Sequence, residues 1–269
     1  MEFRTIVDVE DPGFRIEPCE EMLFVGSCFA DNIGARFKEE KFSATVNPFG
    51  VMYNPASILH TVERLSLAEP SILGNLRTAF FTLGTNHIYR LKETGEIVDN
   101  CQKRPQSLFN EEELTVDECA SYLQRAIDIL RAANPDIRVV LTVSPIRYRK
   151  YGYHGSQLSK ATLLLATRQV AGASYFPAYE IVNDELRDYR FYAEDMLHPS
   201  SQAVEYIWQR LSEVYLSDAA KQFIKEWQPL KAALNHKPFN PESQEYRIFM
   251  DKTMLKIAEL QKKYPNFAL

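Results

Sequence analysis

The sequence has little of what usually announces a cofactor or a compartment. Histidine occurs five times in 269 residues, and no HxxxH, HExxH or mixed His/Cys cluster spaces ligands for a metal. Neither a metal nor a cofactor is therefore expected. The four cysteines, Cys19, Cys28, Cys101 and Cys119, form no CxxC pair and read as free thiols. No apolar run reaches the length of a membrane-spanning helix, so no membrane partner is expected. The opening stretch MEFRTIVDVEDPGFRIEP carries acids and lacks a long apolar core, which predicts no signal peptide and cytoplasmic residence. Positive charge is not in excess. A net charge of −5 and a pI near 5.7 lack the basic footprint of a nucleic-acid binder. What is present is ordinary globular material, 45% hydrophobic and 25% charged, in a chain long enough for one large α/β domain with an extension.

Met22-Leu23-Phe24-Val25 reads as a short buried strand ending at Gly26, and Ala30 to Lys41 as a helix with Ile33 and Phe37 on one face. Ser27 then sits where a core strand becomes a helix. Free N–H groups and a partial positive charge at a helix start favour an oxyanion there. The plain alternative is a tight turn holding a small polar residue. Further along, Phe42–Val46 suggests a strand, and Asn54-Pro55 a capped helix start. A strand near Thr78–Leu83 is followed by a hairpin excursion over His87 to Asn100. Thr115 to Glu118 spells a capping box, Ile137–Val143 a buried strand, Ser156–Val170 a helix, and Ser174–Phe176 a short strand. Pro199 can start a last core helix through Tyr215. This alternation implies a parallel sheet covered on both faces, with Ser27, Gly50, Asn86 and Ser144 on one rim. From about residue 217 only helices remain, near 218–234 and 241–264. The second carries Tyr246, Phe249, Met250, Met254, Ile257 and Leu260 as a packing stripe, toward the core or a second copy.

Asp195-Met196-Leu197-His198-Pro199 precedes that last core helix. A carboxylate three residues before a histidine can bind one ring nitrogen and leave the other as a base, which a serine hydroxyl needs before it can attack. The structural alternative is an Asp that caps a helix beside a surface His.

Gly26-Ser27-Cys28-Phe29-Ala30 spells the motif for which the GSCFA family is named. Asn47-Pro48-Phe49-Gly50, Tyr53-Asn54-Pro55, Leu83-Gly84-Thr85, Thr142 to Arg147, Tyr175 to Ile181 and Asp184 to Pro199 resemble that family's further blocks, over nearly the whole chain. The family is similar to the SGNH (GDSL-like) hydrolases. The resemblance implies a three-layer α/β/α flavodoxin-like sandwich with a mainly parallel sheet as residues 1–216, plus a helical extension over 217–269. It further implies Ser27 as nucleophile, His198 as base and Asp195 as its orienter. The oxyanion hole would come from the Ser27 and Gly50 N–H groups and an Asn side chain, either Asn86 or Asn100. The chain departs from the family at His87, where Trp is usual, and at Gln102 and Tyr148, where His is usual. A His-containing segment before the third strand is also missing.

The expected activity is that of a serine esterase or O-acyltransferase working through an acyl-enzyme, on a small-molecule or carbohydrate ester such as an acetylated sugar. A different reading is a degenerate domain that binds a ligand without turnover, suggested by those departures. A third makes Cys28 the nucleophile. Asn100 and Arg147 are candidates for substrate binding, although Arg147, like Arg190, can equally serve an internal ion pair. A homo-oligomer through the C-terminal helices is the expected assembly.

Overall fold

The computed structural model describes residues 3–99, 101 and 104–269. Five strands, β1 (Glu21–Gly26), β2 (Ser43–Val46), β3 (Thr78–Leu83) and two introduced below, build the main sheet. Helix α1 (Cys28–Glu39) follows β1, and α2 (Pro55–Ala68) and the short α3 (Pro70–Asn75) lead into β3. A second, three-stranded antiparallel sheet comprises β4 (His87–Leu91), β5 (Ile97–Val98) and β6 (Phe109–Glu113), in the order β5-β4-β6. The chain continues through α4 (Val116–Ala133), β7 (Arg138–Val143), α5 (Gly152–Gln169) and β8 (Ser174–Tyr175). After one turn, α6 (Ala178–Glu180), and a π-helical segment over Ile181–Leu186, come α7 (Ser201–Tyr215), α8 (Asp218–Leu234) and α9 (Gln244–Lys263). No helix among the described residues is long and apolar enough to cross a membrane.

The main sheet is parallel throughout, in the order β2-β1-β3-β7-β8. Side chains alternate across it, because successive residues of a strand point to opposite faces. Met22, Phe24, Phe80 and Val140 face α1 and α7, while Leu23, Val25, Phe81, Val139 and Leu141 face α2, α4 and α5. Both faces are covered, which gives the three-layer sandwich. The strand order reverses direction between β1 and β3, and ligands of such sheets bind beyond the carboxyl ends of the strands at that point. Ser27 leaves β1 there.

Local signals explain most element ends. Asn54 Oδ1 accepts the Ser57 N–H at 2.9 Å, and Thr115 and Glu118 form a reciprocal capping box. Three expectations need correction. Helix α1 begins at Cys28 rather than Ala30, because Ser27 is its cap. Pro199 does not open α7: Ser200 caps that helix by accepting the Ala203 N–H, and Ser201 is its first residue. The excursion after β3 is a three-stranded sheet rather than a hairpin. Its extra strand, Phe-Asn-Glu-Glu-Glu, has poor strand propensity and is held by pairing with β4 and by the Arg90–Glu112 and Lys150–Glu111 ion pairs.

The extension lies against α1. Trp227 Nε1 donates to the Glu39 carbonyl at 3.0 Å, and Lys231 reaches the fully buried Glu40 carboxylate at 3.0 Å. Helix α9 packs on α8 through Ile257 and Leu260, leaving Phe249 and Met254 of the same stripe exposed.

Candidate active site

The strand-to-helix turn is built around an obligatory glycine. Gly26 has φ of +146°, and a Cβ there would collide with the Thr82 carbonyl on the neighbouring strand. That closeness lets the Ser27 N–H donate to Thr82 O at 3.1 Å. Asn47, itself in the left-handed region, accepts the Gly26 N–H at 2.9 Å and donates to Asp31 at 2.7 Å, clamping the turn from the β2 side. Ser27 is fully buried. Its hydroxyl accepts the Phe29 N–H at 3.2 Å as the cap of α1 and lies 3.2 Å from Thr82 Oγ1. Cys28, the first residue of α1, is only half-buried. Burial, followed by the nearby Asp31 charge, raises its thiol, and the Tyr53 phenol faces the sulfur.

The other half lies on a surface loop. His198 Nδ1 and Asp195 Oδ2 are 2.6 Å apart, with both residues substantially exposed. Asp195 Oδ1 also accepts the Leu197 and His198 N–H groups at 2.9 and 3.0 Å. Those backbone bonds first, and the imidazole after them, bring the Asp195 carboxyl down to about 2. The carboxylate therefore stays charged and fixes the ring, leaving Nε2 with no hydrogen-bond partner among the described residues. Asp195 and His198 are thus brought together. The Ser27 hydroxyl and the His198 ring are not in hydrogen-bond contact.

The loop after β7 touches both halves. Arg147 donates from its backbone N–H to Leu197 O and from its guanidinium to Met196 O, each at 3.0 Å. Its neighbour Tyr148 reaches back toward Gly84 and Cys28. Both halves therefore stand on the same carboxyl-end rim, on the α1/α7 side. The Arg147 guanidinium stacks over Tyr153 at 4.4 Å and Tyr192 at 5.3 Å and has no carboxylate partner among the described residues. Arg190 pairs with Asp188 at 3.2 Å.

Three of the groups expected in the oxyanion hole, the Ser27 and Gly50 N–H groups and Asn86, hold other partners in this structure. The Ser27 N–H is held by Thr82 O, and the Gly50 N–H by Asn47 O at 2.8 Å. Asn86 donates from Nδ2 to Leu114 O at 2.8 Å, while its backbone carbonyl accepts the Leu114 N–H. Asn86 closes the base of the second sheet through Nδ2, while its buried Oδ1 has no hydrogen-bond partner among the described residues. Asn100 and Gln102 lie outside the described residues.

Three features of this rim escape a reading by motif: Thr82 as the partner of Ser27, the clamp from Asn47, and Lys160. The last is fully buried and donates to Gly84 O at 2.6 Å and Ser144 O at 2.7 Å, tying together the exits of β3 and β7. Burial lowers its ammonium to about 7. A lysine on a helix gives no sign in sequence that carbonyls from two strands will surround it. A cavity of about 340 Å³ opens beside the turn, with Tyr53 and Tyr148 on the side nearest Cys28.

The model of the GSCFA family matches residues 21–76 and 68–211, and that of the GSCFA domain protein C-terminal domain matches residues 227–269. No protein with a curated description matches the chain. Among solved structures, a carbohydrate esterase family 3 protein from Talaromyces cellulolyticus aligns at 12% identity and a TM-score of 0.40, over 77% of this chain and 99% of its own. A Clostridium thermocellum family 3 carbohydrate esterase aligns at 12% identity and a TM-score of 0.42, over 76% and 99%.

Proposed function

This chain belongs to the GSCFA family, and on that premise we propose that it is an ester hydrolase or O-acyltransferase with His198 as its base. The observation that carries the reading is the Asp195–His198 pair at 2.6 Å, with a carboxylate charged at neutral pH on one ring nitrogen and the other nitrogen without a partner among the described residues. Such a base serves a nucleophile of the strand-to-helix turn on the same rim. In the proposed cycle Ser27 Oγ attacks the ester carbonyl carbon and loses its proton to His198 Nε2, while the carbonyl π pair moves to oxygen. Collapse expels the alcohol with that proton and leaves an acyl-serine. Water, or an acceptor alcohol, then repeats the sequence and releases the acyl group. Ser27 must turn from Thr82 to do this, a hydrogen-bond exchange of about 1 kcal/mol.

A second reading is supported by the exposure of the neighbouring side chain. Cys28 is half-open where Ser27 is closed, and the same base would take its proton. Its raised thiol argues for a neutral resting state that depends on His198 for activation. Labelling by a fluorophosphonate together with p-nitrophenyl acetate turnover tests both. Loss of both signals in Ser27→Ala, with Cys28→Ala active, supports the serine. The reverse pattern moves the role to Cys28. A wild-type protein that neither labels nor turns over leaves only ligand binding.

A further inference from the structure

The cavity beside the turn is walled by rings. His87 and Tyr151 stack at 3.6 Å with planes 4° apart, and Tyr148 stands 6.2 Å from Tyr151 at 25°. Tyr53 meets Tyr148 edge-on at 6.2 Å, while Tyr89 and Phe109 complete the wall on the second sheet. Its volume of about 340 Å³ is at the lower end of small-molecule sites.

Most polar side chains of this wall are already in use. The exposed Arg104 and Gln106 are the exceptions, and the Tyr148 hydroxyl and His87 Nδ1, without hydrogen-bond partners among the described residues, are closed off from solvent. Asn54 caps α2 through Oδ1 and donates through Nδ2 to His87 O. Thr85 Oγ1 bonds Ser159 Oγ and the His87 N–H. Asp99 is held by His60 at 2.7 Å, and Lys150 by Glu111 at 3.0 Å. A sugar needs uncommitted donors and acceptors for its hydroxyls, since each one buried without a partner costs affinity. This wall offers mainly π-faces and edges, which suit a flat ring in stacked or edge-on contact.

We propose that the cavity binds an aromatic ring, as the aryl part of a benzoyl-type acyl group, and not a sugar. The ring site stands on the cavity itself; its assignment to the acyl group rests on the proposed ester chemistry. Tyr53 and Tyr148 line the cavity at its border with the turn. Met52, next to Tyr53, donates its N–H to Gly26 O at 2.8 Å, and the Tyr148 hydroxyl lies against Gly84, so a ring held beside them presents its carboxyl carbon on the turn side.

Ligand-observed NMR with benzoate, cyclohexanecarboxylate and methyl glucoside on the full chain tests this, with Tyr151→Ala and Tyr151→Phe as variants checked for folding by thermal melts. The expected result is benzoate binding in the millimolar range or tighter. Cyclohexanecarboxylate should bind at least fivefold more weakly, methyl glucoside should show no saturable binding, and Tyr151→Ala should lose tenfold or more while Tyr151→Phe stays within twofold. Absence of benzoate binding up to 10 mM, equal affinity for methyl glucoside, or unchanged affinity in a folded Tyr151→Ala overturns the ring site. If benzoate binds as expected and no ester is hydrolysed, the hydrolase reading falls and the ring site stands. If acetyl and benzoyl esters are cleaved alike and benzoate does not bind, the reverse holds.

Discussion

The two halves of the candidate centre are held by opposite means. The Gly26–Cys28 turn is part of the core: its serine is buried, its glycine admits no side chain, and bonds from β2 and β3 fix its backbone. The Asp195–His198 loop is exposed, fixed by bonds within a short local stretch around it and by Arg147 of the neighbouring loop after β7. The position of the proposed nucleophile therefore depends on global packing, whereas the proposed base carries its orientation with it. Substitutions in the first half should cost stability, and substitutions in the second should cost turnover alone.

Gly26→Ala should break the first half most severely, destabilising the fold by about 3 kcal/mol or more in urea unfolding. A loss below about 1 kcal/mol would mean that the turn can relax away from Thr82. Asp195→Asn should leave the protein folded and lower ester turnover by about 10²–10⁴-fold, because the ring loses its tautomer partner. The sign of its pH dependence follows from the depressed carboxyl, whose contribution is lost only as pH falls toward about 2. Any acid limb above pH 4 in the wild-type profile must then come from another group. Equal damage to stability and turnover in Asp195→Asn would erase the contrast between the halves.

Lys160 sharpens the comparison from inside the rim. Its native value of about 7 lies below the ordinary 10.5, so the unfolded chain binds a proton that the folded chain has released between those limits. Wild-type stability should rise with pH through that window relative to Lys160→Met, by on the order of 1–4 kcal/mol, with the burial penalty fully present below it. Parallel curves for the two proteins would place the charge of Lys160 elsewhere. Thr82→Val removes the hydroxyl facing Ser27 at about 1 kcal/mol of stability, and should speed fluorophosphonate labelling if that contact holds the serine back. The smallest effect is expected for Arg147→Gln, which loosens the His198 loop: a roughly threefold to tenfold drop in turnover with under about 1 kcal/mol of stability lost.

Much of the architecture follows from local sequence. Near-continuous apolar runs in Met22–Val25 and Val139–Val143, buried at every position, the caps at Asn54 and Thr115, and the alternation of strand and helix specify the layered sheet without reference to distant residues. The Asp195–His198 contact is equally local, since its partners are three positions apart in a turn. What the tertiary structure alone decided involves residues far apart in the chain. Thr82 lies 55 positions from Ser27, and Lys160 lies 76 from the Gly84 carbonyl it binds. The Ser27 N–H and the Asn86 side-chain amide are engaged by Thr82 and Leu114, partners whose proximity no motif encodes. Side-chain chemistry sets what each residue can donate or accept, but packing sets which partner reaches it first.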